Sequence, residues 1–310
     1  MAEATIAPTY KPVSKTTSFL RKYGMPYLFI APFFILFITF ALFPLLYTLW
    51  LGFTNWDGMS PAKFVGLANF IRLFTVDDFF KLSIVNTFVL GFMCLVPKLT
   101  LALLTAVAIH SARLKFKDLY QVAYFLPIIT SPVAVAIVFL TIYGRQYGIL
   151  NYVLTTLGFN SVPWLVVSST IKPAITLLIV WHEVGWYMVI YMAGLQSIPQ
   201  DLYDAASVDG AGTWASFWNV TIPMLRNVIL FTVVIDIIGE LQIFGEPFIL
   251  VGPTGGTNRA GLTMSMNLFA NAFTNLRFGY SAAQAYVMFA IISIISFLNI
   301  KVFGRTGGMR

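Results

Sequence analysis

Residues 27–51 read YLFIAPFFILFITFALFPLLYTLWL, twenty-five positions without one charged side chain. A helix needs about 20 mostly apolar residues to cross the hydrocarbon core of a bilayer, and this run supplies them. Moving outward along the chain, comparable runs occupy 83–109, 120–143, 171–195, 224–244 and 281–303. Lipid offers no partner for a free backbone N–H or C=O, so a spanning segment must be a helix or a strand of a closed barrel. Barrel strands alternate in polarity over about 10 residues. These runs are longer and apolar on all sides, which predicts an all-α integral membrane protein with six transmembrane helices.

Composition agrees. Only 10% of the 310 residues are charged and 58% are hydrophobic, where a soluble domain carries about 25% charged residues. Charge so sparse cannot cover a surface in water. The net charge of +7 does not point to nucleic acid, because the basic residues lie in short loops and tails, where they report orientation in the bilayer. The single cysteine, Cys94, lies in an apolar run, and the two histidines, His110 and His182, are far apart. Neither a disulfide within the chain nor a metal site is expected. The polar opening of about 25 residues, followed by an apolar run too long for a signal-peptide core, argues against a cleavable signal peptide.

With the N-terminus inside the cell, eleven of the 19 Lys and Arg residues fall on the inner side and seven outside, with Lys98 within a span. The tail 1–26 and the tight loop 110–119 carry the bias, and early segments usually set topology, so both termini are expected to be cytoplasmic. This gives an N-terminal tail (1–26), a permease-like membrane domain (27–303) and a C-terminal tail (304–310). The outer loops 52–82 and 144–170 have the aromatic, Gly and Asn content of structured segments. Pro32, Pro44, Pro97, Pro127 and Pro132 fall within spans. Each removes a backbone donor, and the two readings are ordinary membrane-helix proline and flexing points in a moving channel.

The segment 197–223, between the fourth and fifth spans, is the most informative loop. Ser197 and Gln200 have the spacing of a capping box, with Pro199 in the first turn. Ile198, Leu202, Ala205 and Ala206 then repeat at helical spacing, forming an apolar face of mostly small residues. Gly210 and Gly212 break this helix; Thr213 is placed to cap a second one, whose Trp214, Phe217, Trp218 and Thr221 share a face. Asp201, Asp204 and Asp209 sit in a stretch with no basic residue before Arg226. That absence favours a protein partner over an anionic lipid surface, although an interfacial amphipathic hairpin has the same pattern.

This loop resembles the EAA loop of binding-protein-dependent ABC importer permeases, with matches at Ala205, Ala206, Asp209, Gly210, Ala211, Phe217 and Pro223. Asp204 replaces the family's Glu, and Ile222 stands where Leu usually precedes the proline. Further segments are similar to the MalF-like sugar-uptake branch: Phe64–Phe70, Asn86-Thr87, Leu126-Pro127, Gly148–Asn151, Ala193–Gln196 with Ile198-Pro199, and Gly252–Gly256. The resemblance implies the type I ABC importer permease fold in a bacterial or archaeal cytoplasmic membrane. It implies a second homologous permease, two ATP-binding subunits and an extracytoplasmic sugar-binding protein as partners. Coupling to the ATPase would run through Asp204, Ala205, Ala206, Asp209, Gly210 and Phe217. The chain has no G-x-x-x-x-G-K-[ST] loop, so it is expected to be no enzyme and to bind no cofactor itself; ATP and Mg belong to the partner ATPase subunits.

Ionisable groups in lipid are costly and usually face a cavity or each other. Lys98, His182, Glu183, Asp236 and Glu240 all fall within spans. Asp236 and Glu240 are four apart and share a helix face, and Glu183 has Trp186 and Tyr187 at +3 and +4. One reading is a sugar path through Trp181, His182, Glu183, Trp186, Tyr187, Asp236 and Glu240, with Gln242 and Glu246 as weaker candidates; the other is ion pairing with Lys98. A path lined by acids would repel anionic substrates, which favours a neutral sugar or oligosaccharide over a glycerol phosphate, with another polyol as an alternative. A cation-coupled secondary transporter and a membrane-embedded enzyme are the remaining classes. The second has no nucleophile–base or metal-ligand constellation behind it.

Overall fold

The structure, a computed structural model, describes residues 24–111 and 115–304. Most of both expected tails, 1–26 and 304–310, and residues 112–114 of the basic loop lie outside the described residues. Four helices are long and apolar enough to cross a membrane, and two further pairs of bent helices have the composition to do so.

The first span begins with α1 (Met25–Phe37), widens into a π-turn at Ile38–Leu42 and continues as α2 (Phe43–Gly52). Pro44 has no N–H to donate to the preceding turn, and a π-turn is a common local adjustment to such a loss. This span packs little of its surface against the rest of the chain: Phe29 and Phe40 are exposed. A connecting segment follows, with the two-residue strands β1 (Thr54–Asn55) and β2 (Lys63–Phe64) paired antiparallel, and then α3 (Ala68–Thr75). Asn69 fixes it by donating from Nδ2 to the carbonyls of Gly52 and Thr54 at 2.9 and 2.8 Å. The structured loop expected at 52–82 is present.

Two helices form the centre. α4 (Asp78–Ser111) and α8 (Ser168–Gln196) run parallel and are packed along their length. Leu90 and Cys94 meet Ile175, Leu178 and Ile179 toward one end; Leu99, Ala102 and Ala106 meet Tyr187, Met188, Tyr191 and Leu195 toward the other. Cys94 is fully buried there, as a small hydrophobe.

Between them in sequence lie α5 (Lys117–Ile129), α6 (Pro132–Ile142) and the short α7 (Ile149–Thr156). The expected single span at 120–143 is instead α5 and α6, bent by 96°. Ser131 precedes Pro132 and is extended (φ −61°, ψ 128°), the conformation that a following proline enforces. The fifth helix run also differs from expectation. α12 (Arg226–Glu240) stops at Glu240, short of residue 244, and α13 (Gly245–Val251) follows after a turn. Leading into α12, residues 200–224 form α9 (Gln200–Val208), α10 (Thr213–Ser216), a π-turn at Phe217–Thr221 and α11 (Ile222–Met224). The described residues end in α14 (Met264–Phe269), a π-turn (Ala270–Thr274) and the long α15 (Phe278–Gly304).

One glycine sets the helix spacing beside the site. A Cβ on Gly185 in α8 would collide with the Tyr124 carbonyl oxygen of α5. Small residues let membrane helices approach this closely.

Candidate functional site

Midway along α4, Lys98 is 1% exposed and its ammonium is surrounded by acids from two other helices. Glu183 Oε2 from α8 lies at 2.6 Å, Asp236 Oδ1 from α12 at 2.6 Å and Glu240 Oε1 from α12 at 2.5 Å. The i,i+4 spacing delivers both α12 carboxylates to one face. The Tyr187 ring sits 5.4 Å from Nζ, adding its electron-rich face to the cation's surroundings. A buried ion must be paired and hydrogen-bonded to be tolerated, and Lys98 donates hydrogen bonds to Glu183 and Glu240 and forms a third ion pair with Asp236.

The cluster does not fill its space. A cavity of about 620 Å³ opens beside it. Lys98, Glu183, Trp186, Tyr187, Asp236 and Glu240 line it, together with Gln242, Phe244 and Glu246 from the turn after α12 and the start of α13. Glu183 is the acid that reaches into it, with its side chain 31% exposed. Trp186 stands on the wall and stacks on Phe125 at 6.3 Å between centroids. Glu240 keeps its Oε2 without a hydrogen-bond partner among the described residues. The lining thus offers carboxylate acceptors and an aromatic face, the groups that receive hydroxyls and the apolar faces of sugars. Four carboxylates stand against one ammonium, so the lining is electronegative.

The acids pair with Lys98 and also line a cavity. Of the residues expected on the path, Glu183, Trp186, Tyr187, Asp236 and Glu240 line it, but Trp181 and His182 do not. Trp181 is 48% exposed and leans on Phe139 at 5.4 Å. His182 is buried behind the wall, its Nε2 3.4 Å from the Thr130 carbonyl and its Nδ1 4.0 Å from Glu246 Oε1. The weaker candidates Gln242 and Glu246 do belong to the lining. Ile128, Gly239, Ile243, Phe244 and Gly245 were not expected there. Two groups, Glu183–Asp236–Glu240 and His182–Glu183–Glu246, bring potential metal-ligand atoms within 4.8 Å of one another. In the first, the Lys98 ammonium stands where a cation would.

The segment 197–223 lies at the C-terminal ends of α4 and α8. Its capping differs from expectation. Ser197 Oγ donates to the Gly194 carbonyl at 2.7 Å, closing α8 instead of opening α9; Pro199 is the N-cap of α9, and Gln200 Nε2 donates forward to Asp204 Oδ1 at 3.2 Å. Gly212, not Thr213, caps α10. The aromatic face is as expected: Trp214 stacks on Phe217 at 5.6 Å and meets Trp218 edge-on at 5.8 Å. Tyr203 and Thr221 join the two helices through a 3.0 Å hydroxyl contact. Gly210 has φ +80°, a conformation open to glycine at little cost. Val208 and Trp214 are 88% and 69% exposed, large apolar groups at a break between helices.

No protein-family model matches the chain. Among characterised proteins it is 35% identical over 277 residues to the lactose transport system permease protein LacF of Rhizobium radiobacter, an alignment covering 88% of this chain and 92% of that protein. It is 31% identical to the arabinooligosaccharides transport system permease protein AraP of Bacillus subtilis (94% and 92% covered). It is 32% identical to the diacetylchitobiose uptake system permease protein NgcF of Streptomyces coelicolor (95% and 84%). In fold it matches a chain of a bacterial ABC transporter that imports the acidic polysaccharide alginate, with a TM-score of 0.83, 23% identity, and 94% and 99% of the two chains covered. It matches equally well a chain of the alginate transporter solved with a pentasaccharide-bound periplasmic protein.

Proposed function

The chain belongs to the permease family of ABC sugar-uptake systems, and from that premise we propose that it forms half of a path for a neutral saccharide. An extracytoplasmic binding protein would deliver the sugar, a second homologous permease would form the other half, and two ATP-binding subunits carrying ATP and Mg would drive the cycle. Both termini and the segment 197–223 would face the cytoplasm. Asp204, Ala205, Ala206, Asp209, Gly210 and the Phe217 face would seat that segment on an ATPase subunit, so that nucleotide-driven closure moves α8 and α12.

The observation that carries this reading is the cavity. It is built by α4, α8 and the break after α12, and both α8 and α12 run directly into the 197–223 segment. A force on that segment would act on the helices that hold Glu183, Asp236 and Glu240. The acids favour a neutral sugar; a glycerol phosphate would meet like charge at Glu183 and Glu246.

The test is uptake into proteoliposomes by the complex of this chain with its partner subunits. Uptake is expected to need both internal ATP and the external binding protein. Accumulation that instead follows an imposed proton gradient without ATP would contradict the reading.

A further inference from the structure

At the end of the bundle opposite the 197–223 segment lies a second cavity of about 620 Å³, bordered by Arg72, Asp77, Phe79, Arg259, Asn271 and Arg277. None of its three guanidiniums makes an ion pair among the described residues. The neighbouring acids are already engaged. Asp77 accepts from the Tyr280 hydroxyl at 2.5 Å and from the Phe80 N–H at 2.9 Å, and Asp78 pairs with Lys81 at 3.0 Å. Arg259 lies 3.6 Å above the Phe79 ring and Arg72 5.5 Å from the Tyr280 ring, so aromatic stacking holds two of the planar forks in place.

The amides of the wall are also engaged. Asn271 Nδ2 donates to Asn267 Oδ1 and Gln284 Oε1, Gln284 Nε2 donates to Asn267 Oδ1, and Asn275 Nδ2 donates to Asn271 Oδ1. The amide groups that would ordinarily take sugar hydroxyls are bonded to one another, and they stiffen the wall. The free recognition chemistry is guanidinium, which binds carboxylates in bidentate fashion. A sugar acid captured here would next meet the four carboxylates of the deeper cavity. The matching carboxylate therefore belongs to a partner that stays outside.

We propose that this arginine pocket receives an acidic side chain of the extracytoplasmic binding protein and so docks it on this subunit. The inference rests on the importer reading above. Charged contacts of this kind steer encounter and carry the salt dependence of association.

The experiment uses the full complex in proteoliposomes and measures ATPase stimulation against binding-protein concentration, at low and at physiological ionic strength. Arg277→Glu is expected to raise the half-maximal concentration about tenfold and to flatten its salt dependence, with basal ATPase activity unchanged; Arg277→Lys is expected to shift it far less. Arg72→Glu, on a different helix, is expected to act in the same direction. Normal stimulation curves in both reversals would overturn the docking site and leave the importer reading intact. Absence of stimulation in the wild-type complex would overturn both. Binding of glucuronate to the complex without the binding protein, lost in Arg277→Glu, would assign the pocket to a sugar acid and overturn the docking site.

Discussion

The ammonium of Lys98 stands 2.5 Å from Oε1 of Glu240, 142 residues further along the chain. With Asp236 and Glu183 at 2.6 Å, this contact closes a charge cluster that ties α4, α8 and α12 together where the sugar path is proposed. Removing the one cation leaves three acids clustered without a counter-charge, and breaking a buried pair in this way costs about 3–5 kcal/mol. Lys98→Met should lower the detergent melting temperature of the assembled complex well below that of Lys98→Arg. Equal melting temperatures for wild type and Lys98→Met would show that the cluster contributes little to stability.

Glu183 and Trp186 test the path itself. Glu183 can be neutralised without stranding Lys98, because Asp236 and Glu240 remain. Glu183→Ala and Trp186→Ala are expected to cut sugar uptake at least about tenfold, the loss of one or two hydrogen-bonding or stacking contacts of roughly 1–1.5 kcal/mol each. Assembly, followed by co-purification of the partner subunits, should be unchanged. Full uptake in both variants would place the sugar elsewhere.

Gly185 tests the helix spacing. A side chain there meets the backbone of α5 at Tyr124, where relief requires two helices to move apart. Gly185→Val is expected to cost about 1–3 kcal/mol or more through overpacking and to reduce the yield of folded protein in size-exclusion profiles. Gly239→Ala, with nothing within 4 Å of the added carbon, is the control for folding and should give the wild-type size-exclusion profile.

Gly210 separates coupling from folding. Its added Cβ would meet nothing within 4 Å, so Gly210→Ala costs only the left-handed backbone, about 1 kcal/mol, and should transport at a reduced rate. Proline cannot adopt φ +80° and would also lose the donation from the Gly210 N–H to the Ser207 carbonyl at 3.1 Å. Gly210→Pro should insert and assemble yet lose transport, with ATPase activity no longer responding to substrate-loaded binding protein. Retained, substrate-stimulated turnover in that variant would contradict the coupling role.

Much of this molecule is legible from local patterns. The apolar runs locate the helices, and the four-residue spacing of Asp236 and Glu240 puts them on one face. The misplacements have physical causes. Trp181 lies two residues from Glu183, and positions two apart on a helix do not face the same way, so sequence proximity grouped it with residues whose cavity it does not line. The hydroxyl of Ser197 had a second available acceptor, the Gly194 carbonyl, and closing α8 won over opening α9. The bend at Ser131 is signalled by Pro132, but its angle of 96° is not written in the local sequence. The residues Leu241–Phe244 extend an apolar run, and only tertiary structure shows that they turn and bring Glu246 to the cavity. The arginine pocket joins residues from 72–79, 253–259 and 267–277, a juxtaposition that no local pattern announces.

The central claim is that the 197–223 segment is held by an ATP-hydrolysing subunit on the cytoplasmic side. The most direct measurement places a cysteine at Asp209 in a Cys94→Ser background and examines intact cells and the purified complex. Asp209→Cys is expected to resist membrane-impermeant maleimide added outside, and a short bifunctional crosslinker is expected to join it to the ATP-binding subunit. Labelling from outside, or a crosslink to the binding protein in place of the ATPase, would contradict it.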